Sequence, residues 1–167
     1  MKHIYTFLCL ILFSGVVSAD NVIVGAFGQK LGSEFDSSLQ ANYVRDDGDK
    51  LYEFEPTKPY PLLSVYFVAI TPVTKLIKEI YAWGYIKNKS KCELERQVIN
   101  RVLMDKYKTL LSGYIGHRES GDRHIIWGCV CSGSECERQR LYVRYVGEKL
   151  EKQVIEEKAS LVDKSNF

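Results

Sequence analysis

The chain has 167 residues, with 23 lysines and arginines against 21 aspartates and glutamates and 46% apolar residues. That length suits one domain of about 100–150 residues behind a leader, large enough to bury a core without help from disulfides. Nucleic-acid binding needs a strong basic excess on one face, and the balanced charge gives it no support.

The first nineteen residues read as a secretory signal peptide. Lys2 and His3 precede the apolar run Ile4–Phe13, and Val17-Ser18-Ala19 is a small-residue cleavage site before Asp20. The run is too short to span a bilayer, which takes about 20 apolar residues. No later stretch is apolar enough; the richest, Leu62–Val73, has polar interruptions. Residues 20–167 are expected to be one exported domain, periplasmic or secreted and monomeric, without a membrane span.

Asn21–Gly32 begins as a short apolar strand and becomes glycine-punctuated. Gly25, Gly28 and Gly32 match neither the phosphate-binding loop nor the dinucleotide fingerprint, so they read as turn glycines. Ser33–Lys50 is polar, and Asp46-Asp47-Gly48-Asp49 is a turn; the later ligands and closing Glu of a calcium loop are missing. Leu51–Glu55 alternates as a strand, and Pro56, Pro59 and Pro61 end its pairing. Ser64–Ile70 is a β-branched and aromatic strand. After the Thr71-Pro72 turn, Lys75–Ile86 could be a helix stopped by Gly84. The alternation of Tyr81, Trp83 and Tyr85 with Ile80, Ala82 and Ile86 favours a strand that pairs with Ser64–Ile70.

Ser90–Leu111 carries helical periodicity. Cys92, Ile99, Leu103 and Leu110 form an apolar stripe, widened by Val98, Val102 and Tyr107. Ser90 with Glu93 has the spacing of a capping box. Ser112–Arg123 reads as a loop, His124–Val146 as a hairpin turning at Ser132–Glu135, and Glu148–Leu161 as a terminal helix with Leu150, Val154 and Leu161 on one side. Strands cluster instead of alternating with helices. The expected class is α+β: a mostly antiparallel sheet of about five strands, two helices packed on one face, and disulfide staples.

Behind the leader stand Cys92, Cys129, Cys131 and Cys136. An even set in an exported chain predicts disulfides. Cys129 and Cys131 point to one face of a strand and cannot easily pair. Cys131 and Cys136 flank a turn-forming loop, which would bring them opposite each other within disulfide reach. That leaves Cys129 for Cys92, a bond worth about 3–4 kcal/mol in the chain-entropy model. The spacing C-x-C-x4-C is neither a zinc ribbon nor a thioredoxin-like C-x-x-C.

From Tyr66 to Cys92 the pattern Y-x-V-x-x-T-P-x-T-K-x-I-x-x-I-x-A-x-G-x-x-x-N-x-x-x-C precedes a helix ending in L-x-x-K-Y. Thr71-Pro72, Ile77, Ala82, Gly84 and Cys92 match small exported proteobacterial proteins of unassigned function, which the chain resembles over about half its length after the leader. The resemblance implies a hairpin bent at Thr-Pro, a helix begun by a cysteine bonded to a later strand, and a bacterial envelope location. It implies no activity.

No catalytic residue, cofactor or metal ligand is assigned. His117, Glu119, Asp122 and His124 could serve an envelope hydrolase, but their spacing across a glycine-containing segment is not a zinc motif. A Cys–His nucleophile needs a free thiolate, and no G-x-S-x-G is present. Lys87, Lys89, Lys91, Arg138, Arg140 and Arg144 would form a basic patch if adjacent. Asn88-Lys89-Ser90 fits the glycosylation sequon, relevant to a eukaryotic source alone. If Ile80, Ala82 and Ile86 face the helices, Tyr81, Trp83 and Tyr85 form an aromatic stripe on the other face. That stripe would either meet a partner protein, lie beneath Asp20–Lys50 or be the core itself. The functional expectation is a small binding protein with an envelope or secreted partner; a hydrolase and a structural or stress-response factor are the alternatives.

Overall fold

A computed structural model describes residues 23–36, 38, 40–107, 116–120, 122–132 and 138–165, with the backbone alone for 116–120 and 162–165. Residues 1–19, expected to be a leader, and Leu110 lie outside the described residues.

Among the described residues, the chain forms nine strands and two helices: β1 (Gly25–Ala26), β2 (Gln29–Lys30), β3 (Tyr43–Val44), β4 (Lys50–Glu53), β5 (Val65–Ile70), β6 (Ile77–Ile86), α1 (Lys89–Tyr107), β7 (Gly116–Ser120), β8 (Arg123–Ser132), β9 (Arg138–Gly147) and α2 (Glu148–Ser165). β1 and β2 make a small hairpin; the other strands form one antiparallel sheet ordered β3-β4-β5-β6-β9-β8-β7. The class is α+β. The sheet has seven strands where about five were expected, because the two edge strands carry too little apolar alternation to stand out. Part of the expected loop Ser112–Arg123 is the edge strand β7.

Period-two alternation divides the sheet into two unlike faces. One carries Tyr66, Val68, Ile80, Ala82, Ile86, Ile125, Trp127, Leu141, Val143 and Tyr145, all buried in the main core. Ile99, Leu103 and Tyr107 of α1 pack there, and Cys92 bonds Cys129 of β8 with Cα atoms 6.0 Å apart. The N-terminal segment belongs to the same core: Ile23 and Leu31 are buried in it, and the Phe27 ring meets Tyr66 edge-on at 5.1 Å. Tyr66 settles on this face, its hydroxyl donating to the Leu63 carbonyl at 2.9 Å.

The helices are shared out between the faces. α2 turns off the end of β9 and crosses the foot of the sheet, where Glu151 reaches Arg144 on the face opposite α1. Gln153 donates to Thr74 Oγ1 at 2.9 Å, and Lys158 donates to the Asp47 carbonyl at 2.9 Å. Leu51, Ala69, Val146 and Val154 are buried outside the main core, and the register puts the first three on this second face. Of the expected α2 stripe Val154 is buried, while Leu161 is 48% exposed.

The start of α1 is capped by Asn88, not Ser90. Asn88 Oδ1 accepts from the Lys91 amide at 2.7 Å, and Glu93 turns forward to pair with Arg96 instead of back to the cap. The expected widening of the α1 stripe holds for Tyr107; Val98 and Val102 are 42% and 55% exposed. Gly84 sits where the chain crosses the sheet closely: a Cβ there would collide with the Leu62 carbonyl oxygen. Phe27 and Gly28 both have positive φ, which closes the two-residue turn between β1 and β2.

Candidate functional site: the uncovered sheet face

β6 and β9 build the second face between them. Alternation on β6 places Tyr81, Trp83 and Tyr85 there, and on β9 Arg138, Arg140, Tyr142 and Arg144. The register sets Tyr81 against Arg144, Trp83 against Tyr142 and Tyr85 against Arg140. Phe67 on β5, Leu51 and Glu53 on β4, and Val130 on β8 continue the surface to either side, with Asn42, Tyr43, Arg45 and Asp47 at its edge. All of these but Tyr85 and Arg138, which stand beside it, line an open groove of about 1080 Å³.

The expected aromatic residues are thus brought together on one face. Tyr81 and Trp83 are half-buried and Tyr85 is 44% exposed. Among the described residues, Ile23, Phe27, Leu31 and Phe35 of the N-terminal segment belong to or pack against the core on the far side of the sheet, not over these aromatics. The β3–β4 turn reaches the groove at one end, through Arg45 and Asp47.

Of the six basic residues, Arg138, Arg140 and Arg144 share this face of β9. Arg144 sits at the foot of the groove, donating to Glu79 at 2.9 Å. Arg45 grips the same carboxylate with two hydrogen bonds, at 2.9 and 2.5 Å. The Glu79 side chain is completely buried. Burial alone would raise its pKa, but the hydrogen bond from Arg45 and the charge of Arg144 outweigh that and hold it below the ordinary glutamate value. Beside this triad, Lys78 pairs with buried Asp49, which Lys158 of α2 also reaches at 3.2 Å. These two networks fix the floor of the groove to the β3–β4 turn and to α2.

Arg138 and Arg140 are held differently. The Arg140 guanidinium lies over the Trp83 ring at 4.8 Å and the Tyr85 ring at 5.9 Å; Arg138 lies over Tyr85 at 4.8 Å. Trp83 and Tyr85 meet edge-on at 5.1 Å. Among the described residues no carboxylate is in salt-bridge range of either arginine. Arg140 Nε has no hydrogen-bond partner there. Hydrogen bonds with Ser132 and Arg140 lower the Tyr85 phenol below its usual value. Gly128 leaves room for the Tyr142 ring, which a Cβ would press at 3.1 Å. Sequence reasoning placed the arginines on β9 without joining them to the aromatic stripe. The alternation Arg138, Arg140, Tyr142, Arg144 against a paired β6 was the signal that joins them.

The three cysteines among the described residues are oxidised, as expected. Cys92 pairs with Cys129, and Cys131 is disulfide-bonded as well. Its expected partner, Cys136, lies outside the described residues. The ladder sets Gln139 opposite Cys131. His124 lies on β8 with Nδ1 3.4 Å from Glu148 Oε1, and β7 places Glu119 opposite it and His117 opposite Ile126. No group of three His, Cys, Asp or Glu side chains able to hold a metal ion is found among the described residues. No helix among them is long and apolar enough to cross a membrane.

No protein family model, curated protein or solved structure matches the chain.

Proposed function

We propose that the protein is an exported, disulfide-stapled binding protein that meets another envelope or secreted protein through the uncovered face of its sheet. The observation that carries this reading is the groove bearing Tyr81, Trp83 and Tyr142, with Tyr85 beside it, on a face that the described residues of the N-terminal segment and α1 leave open. Tyr, Trp and Arg dominate the energetics of protein interfaces, and here all three stand on rigid, paired strands. Export is supported by the Cys92–Cys129 bond, since such bonds persist mainly in oxidising compartments. The leader-like residues 1–19 and the resemblance to exported proteobacterial proteins support it too.

The test places a photo-crosslinking residue at Tyr85 and, as a control on the other side of the molecule, at Val98. A partner should crosslink from Tyr85, not from Val98, and excess unlabelled protein should compete it away. Trp83→Ala should weaken that crosslink while the protein stays folded, at a cost of about 1–2 kcal/mol for the lost ring and cation contacts. A variant that unfolds, or crosslinks that come equally from Val98, would defeat this reading.

A further inference from the structure

Resting on that reading, we propose that Arg138 and Arg140 anchor a carboxylate of the partner, and that the groove takes a mixed-charge polypeptide segment with its acidic end at these two arginines.

The groove sorts its own arginines into two kinds. Arg45 and Arg144 are both committed to Glu79, and Arg144 also to Glu151 at 3.5 Å. Arg138 and Arg140 have rings beneath them and no carboxylate beside them among the described residues. Arg140 hydrogen-bonds the neutral Tyr85 and Tyr81 hydroxyls, which leave its charge uncompensated, and a stacked guanidinium still presents its plane to a carboxylate. Stacking on Trp83 and Tyr85 also fixes the group in advance, so less side-chain freedom is lost when an anion docks.

The opposite corner of the groove carries the other sign, with Asp47 and Glu53 on its lining. Glu53 stands in the cross-strand row of Phe67, Tyr81 and Arg144, three strands from β9. At about 4.8 Å per strand and 3.3 Å per residue, Glu53 and Arg140 are about 20 Å apart on the diagonal, the length of about six extended residues. Between them lie Phe67, Tyr81, Trp83 and Tyr142. A uniformly anionic polymer would meet repulsion at Asp47 and Glu53. A protein segment can present a carboxylate at one end, apolar side chains in the middle and a cation or donor at the other.

The test is selection of random twelve-residue peptides displayed on phage against the immobilised chain without its leader, in wild-type form, as R138E/R140E and as W83A, each checked for folding by circular dichroism. The wild type should enrich peptides carrying Asp or Glu together with apolar residues. R138E/R140E should abolish that preference or reverse it toward Lys and Arg, and a synthetic selected peptide should lose at least tenfold in affinity. If the same peptides are enriched by wild type and R138E/R140E but lost with W83A, the face binds and the arginine anchor is overturned. If wild type and W83A enrich alike, the face itself is not the binding surface. Heparin and polyphosphate are titrated in parallel by calorimetry. Binding of either that is tighter than the selected peptide and sensitive to R138E/R140E would overturn the polypeptide assignment.

Discussion

Glu79→Ala tests whether the floor of the groove is held by a buried charge. Removing one partner from a buried, hydrogen-bonded ion pair costs about 3–5 kcal/mol, mostly through the charge left behind. Here Glu79 is fully buried, while the Arg45 and Arg144 side chains are 22% and 33% exposed. Both guanidinia can recover water, which moves the expected cost to about 2–3 kcal/mol. With a urea slope of about 1–3 kcal/mol/M, that is a fall of about 0.7–3 M in the unfolding midpoint by circular dichroism. Acid supplies an internal control. Glu79 has a folded pKa below the ordinary glutamate value of 4.5, so its contribution is complete above that pH and fades as pH falls through the folded value. Asp49 is also lowered: its burial opposes ionisation, but Lys78 and Lys158 outweigh that, so it fades in the same window in both proteins. The gap between wild type and variant should therefore be full at pH 7 and narrow toward pH 3. A gap below about 0.5 kcal/mol at pH 7, or one of the same size at both pH values, would refute the reasoning.

The Cys92–Cys129 bond joins residues 37 apart in sequence, so Cys92→Ala/Cys129→Ala should lose about 4 kcal/mol, read from the urea midpoint. Asn88→Ala should cost about 1 kcal/mol through loss of the α1 cap, whereas Ser90→Ala should stay within about 0.5 kcal/mol of wild type; the reverse order would restore Ser90 as the cap. Gly84→Ala forces a methyl group against the Leu62 backbone and should cost about 1–3 kcal/mol in thermal or urea unfolding.

Much of this protein was legible in local pattern. The alternation in Ser64–Ile70 and Lys75–Ile86 gave a hairpin, now seen as β5 paired with β6, and separated Ile80, Ala82 and Ile86 from Tyr81, Trp83 and Tyr85. The 3.6 periodicity gave α1, and cysteine arithmetic gave Cys92–Cys129. All of these are settled by residues within one or two turns or strands, or by elimination among a few cysteines. The cap of α1 was misread because Asn88 and Ser90 carry equally good capping side chains. The choice between them depends on where β6 releases the chain.

What the strand pattern could not supply was which distant segments cover which face. Residues 23–35 and α1 bury one side of the sheet, whereas α2 closes only the foot of the other. That choice leaves Trp83 and Tyr85 open to solvent beneath Arg140, and it makes Glu79, unremarkable in sequence, the common partner of Arg45 and Arg144. Alternation is a property of a strand's own backbone, so the order of residues determines which side chains share a face. Cover and charge pairing join residues 34 and 65 positions apart, and they exist once the sheet has brought three strands and a turn together.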